Sequence, residues 1–498
     1  MRFIKTVAFI SGLVVLGIEI TAFRIVAPFF GNSIFITTNI LAVILAGLAL
    51  GYWLGGVWAD KLKTARPLFL LMLVTACLCA LIPFVAPALL GLLRDQITTI
   101  DWRLVVFSLI GVAALFFIPF VLLGTVSPWL VRLATQQHDQ RGRGAGNVFA
   151  WSTLGSLLGT FLPTLLLVPL LGTKKTILLL AALLALIAAV GLGRWKGSLV
   201  ALIILTASLV INPALADDPS VVAERESALE YLRVVSDGGS AVHLEQDEGL
   251  GVHSVYDPDK LATGLVFDWL SFTPELTSAW REQQRLDVAV IGLAAGTVAR
   301  QLDRYYAGES LSITGVELDP ETIKLGREFF GLDDIGSLTA IVGDGRTWLS
   351  TQQDRFDVII VDAFRQLYIP AHMSTIEFFE QVRGTLKDGG VMALNLNTVS
   401  EDSHVARSFR TTIASVFPYT YVVDIPGSYN TVFYASDSPI STPQAELFTN
   451  TDRHLVANSL EDSLQQVQPD QDLAPATDDR PLVESWYDLM IGQSFLGG

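Results

Sequence analysis

The chain of 498 residues has only two cysteines, Cys77 and Cys79, both inside an apolar run. They offer neither a disulfide framework nor a zinc spacing, so cysteine usage does not fix a redox compartment. The six histidines form no HxxxH or HxH cluster, and no metal is expected. Cations are scarce in the second half, where residues 217–498 carry 18 Lys and Arg against 44 Asp and Glu, a balance of −26. That excess excludes nucleic acid as a partner, because phosphate binding needs clustered Lys and Arg. The chain also lacks a strict GxGxxG, and no phosphate-binding lysine follows its glycine turn, which excludes a P-loop.

Residues 1–216 have the opposite balance, with 15 Lys and Arg against 5 Asp and Glu. Such asymmetry argues for two domains in different surroundings. The first half reads as a membrane domain. A spanning helix needs about 20 mostly apolar residues, and seven stretches qualify, near 6–29, 34–58, 67–91, 104–131, 146–170, 176–193 and 198–215. The last two are short. Basic residues crowd alternate connections: Arg2 and Lys5, then Lys61, Lys63 and Arg66, then Arg132, Arg141 and Arg143, then Arg194 and Lys196. The positive-inside rule therefore puts the N-terminus in the cytoplasm. Seven crossings of an inner (cytoplasmic) membrane then put the acidic half outside; six would leave it in the cytoplasm. Glu19 and Arg24 lie within the first span, where a charge is costly and needs a partner or water. The small residues of "GLALGYWLGG", Gly47 to Gly56, permit close helix packing.

Residues 217–285 hold short alternating stretches such as "SAVHLEQ" and "GVHSVYDP", bounded by turn signals, and read as β-hairpins. From residue 286 to the end, strands and helices alternate, which indicates a parallel sheet. "LDVAVIGLAAGTVARQL" is a strand, a turn with Gly292 and Gly296, and a helix start. The next strand, "SITGVELD", delivers Glu317, 25 residues after Gly292, where an acid typically meets ribose hydroxyls. "TAIVGDG" ends at Asp344 and Gly345, and "FDVIIVDAF" ends at Asp362. Four successive strand ends carry polar groups along one sheet edge, the place where open α/β sheets bind ligands. A nucleoside site is expected there. Taken singly, each acid could equally be a helix cap.

The acid at the second strand and "GDG" at the third resemble a Rossmann-like S-adenosylmethionine-dependent fold rather than an NAD fold. With the preceding hairpins and "VIGLAAG", "GVELDPETIKLGREFF", "VGDGRTWL" and "FDVIIVDAF", residues 225–425 resemble the spermidine synthase (polyamine aminopropyltransferase) family. The membrane half and the C-terminal "TDDRPLVE" resemble bacterial proteins that fuse such a domain to a multi-pass hydrophobic one. The resemblance implies that Glu317 binds ribose, that Asp344 takes the adenine amino group, and that Asp362 lies beside the sulfonium. It also implies a contact from His253 in the hairpin region. Tyr368 and His372 read as pocket-lining residues of a lid, His372 as a candidate proton shuttle.

Two departures bear on the acceptor. The family's glycine turn usually contains an Asp that holds the aminopropyl amine, and the matching residue is Ala295. A second Asp usually follows the catalytic one by three positions, and the matching residue is Arg365. An arginine suits a carboxylate through a bidentate bond, and intact S-adenosylmethionine has a carboxylate that its decarboxylated form lacks. The expected enzyme therefore releases methylthioadenosine from intact S-adenosylmethionine by intramolecular attack. The rival readings are aminopropyl transfer from decarboxylated S-adenosylmethionine to an amine, methyl transfer, and a transporter or sensor of adenosyl-sulfur compounds. The expected partners are the lipid bilayer, a sulfonium substrate, an amine acceptor where one exists, and a second copy in a homodimer.

Overall fold

The computed structural model describes residues 2–31, 34–62, 64–96, 102–136, 141–193, 195–210, 218–247, 251–277, 285–307, 310–353, 355–364, 369–398 and 403–481. The chain divides into two compact units, one of residues 1–219 with 224–231 and 247–249, the other of the remainder.

In the first unit, six helical stretches are long and apolar enough to cross a membrane: Arg2–Phe30 (α1), Ile34–Leu62 (α2), Arg66–Arg94 (α3), Arg103–Thr135, Gly142–Leu171 and Thr173–Leu192. The fourth is built from Trp102–Val112 (α4), Ile118–Gly124 (α5) and Val126–Thr135 (α6), with a π-turn at Ala113–Phe117. The fifth joins Arg141–Leu162 (α7) to Val168–Leu171 (α8) through a π-turn at Pro163–Leu167. Pro119 and Pro169 each follow a π-turn by two residues, where the wide turn accommodates a residue that lacks an N–H and crowds the preceding carbonyls. Thr173–Leu192 is α9. The seventh expected span forms the shorter helix Trp195–Val210 (α10), whose 16 residues reach about 24 Å, less than a hydrocarbon core of about 30 Å.

The glycine pattern is used for packing. A Cβ on Gly51 or Gly55 of α2 would strike the backbone of Val121 or Thr125, and a Cβ on Gly155 or Gly159 of α7 would strike that of Phe9 or Leu13 in α1. These helices touch backbone to backbone, as small residues at four-residue spacing allow. Arg24 of α1 donates to the carbonyls of Ser227 (2.7 Å) and Ala228. Next to them, the half-buried Glu226 accepts from the backbone N–H of Thr173 (2.9 Å) and from its hydroxyl. A carboxylate thus caps the start of α9, where the helix dipole favours negative charge.

In the second unit, strands Val221–Glu226 (β1), Tyr231–Ser236 (β2), Val242–Gln246 (β3) and Val252–Tyr256 (β4) form a four-stranded sheet in sequence order, β1 and β2 running partly into the first unit. The hairpin character expected to residue 285 stops sooner, because "VFDWLS" forms a short helix, Val266–Ser271 (α11), followed by a 3-10 turn. The main sheet then comprises Arg285–Ile291 (β5), Ser310–Glu317 (β6), Leu338–Val342 (β7), Phe356–Val361 (β8), Leu386–Asn397 (β9), Tyr419–Asp424 (β10), Asn430–Ser436 (β11) and Gln465–Val467 (β12). Its order is β12-β10-β11-β9-β8-β5-β6-β7. β9, β8, β5, β6 and β7 are parallel, and β11, β10 and β12 add in antiparallel fashion. The helices between them include Thr297–Tyr305 (α12), Pro320–Phe329 (α13), Gly345–Leu349 (α14), Ile376–Arg383 (α15), His404–Val416 (α16) and Thr451–Ser463 (α17). β5 and β8 are buried nearly throughout, as a sheet covered on both faces requires. Strand order reverses between them, so their carboxyl ends flank the crevice where a Rossmann-like sheet takes its ligand. Multi-pass helices and a Rossmann-like α/β domain preceded by a hairpin sheet are the two architectures of this chain.

Candidate active site

The tips of β5 and β8 are tied together. The Asp362 N–H donates to the Ile291 carbonyl at 2.8 Å. Gly292 has φ +86°, and a Cβ there would collide with the Asp362 backbone, so only glycine lets the two strand ends meet. Gly296, also at positive φ, opens α12. Ala294 adopts φ +48° between them. That strained turn is held from two sides. Glu317 at the end of β6 accepts from the Ala294 N–H at 2.9 Å and from the Asp319 N–H at 3.1 Å. Ser254 of β4 accepts from the Ala295 N–H at 2.9 Å, and Thr297 exchanges bonds with the Val255 backbone. A carboxylate offers about four acceptor positions, more than these backbone donors fill, so a ribose hydroxyl could still be bound. Burial pushes the Glu317 carboxyl above its ordinary value, and the backbone donors oppose the rise.

Asp362 is half-buried, and its Oδ1 accepts from Asn395 Nδ2 at 2.9 Å. Asn395 is oriented in turn by Asn430, whose Nδ2 donates to the Asn395 side-chain carbonyl at 3.0 Å. The relay fixes which Asn395 atom faces the carboxylate and leaves Asp362 Oδ2 available. Burial raises the Asp362 carboxyl to about 6; Asn395 pulls it down, and the Glu317 charge adds to the rise. A carboxyl poised there is a base at neutral pH that is not also a strong acid. Sequence reasoning missed Asn395 and Asn430. The available signal was a polar residue inside the apolar alternation of "VMALNLN". Replacing Asn395 with Leu should move the acid limb of a kcat/KM profile upward by about 1–2 pH units, since a hydrogen bond to a charged group contributes about 1.5–3 kcal/mol. A pH series on the variant checks this, and an unmoved limb would separate Asn395 from the titration of Asp362.

The other expected residues distribute as follows. Ala295 is buried among Leu232, Val234 and Leu244 of the hairpin sheet and Leu325 and Phe330. The position where the family's amine-holding acid would stand is therefore apolar. The hairpin residue that reaches the turn is Ser254; His253 points to the opposite face of its sheet, the face of Glu245, because successive strand side chains alternate. Burial lowers the His253 imidazole to about 4, which leaves it neutral. Asp344 is the cap of α14, accepting from the Thr347 N–H (2.8 Å) and hydroxyl (2.7 Å), while its Oδ2 meets His372 Nε2 at 3.1 Å. Burial raises the Asp344 carboxyl, but the Thr347 donors and then His372 outweigh it and hold it below the usual range. His372 thus joins Asp344. Gly345 leaves room for Met373, whose methyl would lie 2.9 Å from a Cβ there. Thr375 caps α15, and Glu377 accepts from the Asp478 N–H. Arg365 and Tyr368 lie outside the described residues. Among the described residues, no group of three or more His, Cys, Asp or Glu side chains is placed to hold a metal ion.

Residues 278–444 match the spermine/spermidine synthase domain. A "Probable polyamine aminopropyl transferase" of Bifidobacterium longum is 36% identical over 215 residues, 43% of this chain and 46% of that protein. A "Polyamine aminopropyltransferase" of Vibrio vulnificus is 29% identical over 143 residues, 28% of this chain and 46% of that protein. The chain thus spans about half the length of the curated relatives it matches. The crystal structure of a probable spermidine synthase from Corynebacterium glutamicum aligns with a TM-score of 0.40 and 20% identity, covering 50% of this chain and 91% of that one. The matched segment lies in the second unit, and the membrane helices and hairpin sheet precede it.

Proposed function

We propose that the protein is a membrane-integral enzyme that cleaves an S-adenosylmethionine-type sulfonium and releases methylthioadenosine. The observation that supports this most is Asp362: a carboxylate at the switch point of the sheet, raised toward neutrality and oriented by Asn395. A sulfonium is already a good leaving group, so the protein chiefly has to orient a nucleophile in line with the carbon–sulfur bond and stabilise cationic charge. Glu317 and Asp344 hold the ribose and adenine ends. Asp362 faces the sulfonium.

The substrate proposed is intact S-adenosylmethionine. Its carboxylate or its amine attacks the methylene bonded to sulfur. The carbon–sulfur bond breaks, its electron pair stays on sulfur, and neutral methylthioadenosine leaves with a small cyclic product. Attack by the carboxylate needs no proton transfer; attack by the amine delivers one proton to Asp362. The apolar setting of Ala295 and the cation at Arg365 support this over transfer to putrescine. Two like charges ~4 Å apart cost about 1 kcal/mol in water and about 4 at an effective dielectric of 20, so a diammonium beside Arg365 is disfavoured. Identifying the adenosyl product tests the reaction class: methylthioadenosine is expected, and S-adenosylhomocysteine would indicate a methyltransferase instead.

The catalytic unit is proposed to lie outside an inner membrane, with the N-terminus in the cytoplasm. The distribution of Lys and Arg supports this, with the 16-residue α10 taken as the seventh crossing. A periplasm-dependent reporter fused after Gly498 should be active, and activity only of a cytoplasm-dependent reporter would reverse the assignment.

A further inference from the structure

The reaction as proposed does not use the C-terminal "ATDDRP" segment, yet this segment is bound to the sequence element that follows Asp362. Arg346, in the first turn of α14, donates Nη1 to Asp478 Oδ1 at 2.7 Å and Nη2 to Oδ2 at 2.6 Å. The same Nη1 donates to the His372 carbonyl at 2.6 Å. Asp478 Oδ1 also accepts from the Thr375 hydroxyl at 2.8 Å, and its own N–H reaches Glu377 at 3.0 Å. The Ile376 N–H donates to Ala476 at 2.9 Å, and Ala476 is fully buried beside Met373 and Phe379. The segment from Ile369 to Thr375 is therefore fastened at both its backbone and its side chains. His372 rests on Asp344 through its ring and on Arg346 through its carbonyl, and Asp478 holds the end of the segment at Thr375 directly.

We propose that Asp478 and Arg346 are positioning residues that lock the Ile369–Thr375 segment over the nucleoside end of the crevice. The inference rests on the proposed adenosyl site. A fork-to-fork arginine–carboxylate pair fixes direction as well as distance, and Arg346 spends the same nitrogen on the His372 carbonyl. Loss of the Asp478 carboxylate frees Arg346, and the carbonyl that aims His372 at Asp344 loses its donor. The expected consequence is weaker nucleoside binding with little change in the chemical step, because neither residue reaches the reacting carbon.

The test uses the full chain in detergent or nanodiscs as wild type, Asp478→Ala, Asp478→Glu and Arg346→Lys. Hydrogen exchange over residues 369–377, the dissociation constant of methylthioadenosine, and kcat and KM are measured together. The alanine variant should exchange at least ~10-fold faster at Met373 and Ile376, bind methylthioadenosine about 10-fold more weakly, and keep kcat within about threefold. Asp478→Glu should recover most of the binding, and Arg346→Lys, which cannot form the fork, should behave like Asp478→Ala. Unchanged exchange would overturn the proposal, as would faster exchange with unchanged nucleoside affinity, or a fall in kcat at constant KM. Failure of the wild type to bind methylthioadenosine would refute the nucleoside site itself, an outcome distinct from a wild type that binds and a variant that does not differ.

Discussion

Asp362→Asn should lower turnover by about 10²–10⁴-fold while methylthioadenosine still binds. The amide keeps the shape of the side chain and an oxygen for Asn395 to donate to, so the crevice keeps its geometry. What it loses is the negative charge beside the sulfonium and the capacity to take a proton. A sensor or transporter that only binds the nucleoside should keep working with this change; an enzyme should not. The wild-type kcat/KM should fall on the acid side with an apparent pKa of about 6, the value of the free Asp362 carboxyl. The corresponding limb in kcat should lie lower, because a bound cation favours the ionised form.

The same substitution has an effect on stability whose sign follows from the direction of the shift. The folded carboxyl holds its proton up to about pH 6, above its ordinary 3.8. Ionisation therefore costs stability as pH rises from 4 through 6, and the asparagine variant escapes that cost. At pH 8 it should be more stable by about 1–3 kcal/mol, the lower figure allowing for solvent screening at a half-buried group, and the gain should vanish near pH 4. Thermal unfolding of the second unit at the two pH values measures it. A variant that is less stable at pH 8 would place Asp362 in a favourable structural pair instead.

Arg365→Asp should cut acceptor-free release of methylthioadenosine from S-adenosylmethionine by at least ~10-fold. A lost charge-assisted bond costs about 1.5–3 kcal/mol, and each 1.4 kcal/mol is tenfold. Placing a carboxylate against the substrate carboxylate adds repulsion to that loss. Decarboxylated S-adenosylmethionine has no carboxylate to lose, so its handling should be unchanged or improved. Putrescine-dependent activity should appear only weakly, because the second family acid is still missing. Supplying it at Ala295 is costly: the position is about 1% exposed and faces Leu232, Val234 and Leu244. A carboxylate there would be buried without a partner. Equal activity of Arg365→Asp and the wild type on intact S-adenosylmethionine would mean that Arg365 points away from the substrate.

The sheet edge was legible because local pattern encodes it. Each of β5, β6, β7 and β8 ends an apolar run with a glycine or an acid, and the structure brings Gly292, Glu317, Asp344 and Asp362 to one edge of one sheet. The two π-turns were not legible, since their apolar sequence reads the same as a continuous helix. The partners of the site residues were hidden for a different reason. Asn395 is 33 residues from Asp362, Asp478 is 132 from Arg346, and Ser227 is 203 from Arg24. Such pairings follow from strand order and chain return, which no periodicity records. "TDDRP" stood out in the sequence, but the contact of Asp478 with Arg346 appears only once the segment reaches α14 and α15. Ser254 and His253 show the same limit at short range: the hairpin was evident, but which face met the glycine turn was not.

The most direct test of the central claim is an acceptor-free incubation. Purified full-length protein is given S-adenosylmethionine alone, decarboxylated S-adenosylmethionine alone, and each with polyamines, and the products are identified by mass spectrometry. The account predicts methylthioadenosine and a cyclic co-product from intact S-adenosylmethionine without any acceptor, at a rate that polyamines do not raise and that Asp362→Asn lowers by at least about 100-fold. Methylthioadenosine formed only from the decarboxylated substrate and only with an amine present would contradict it.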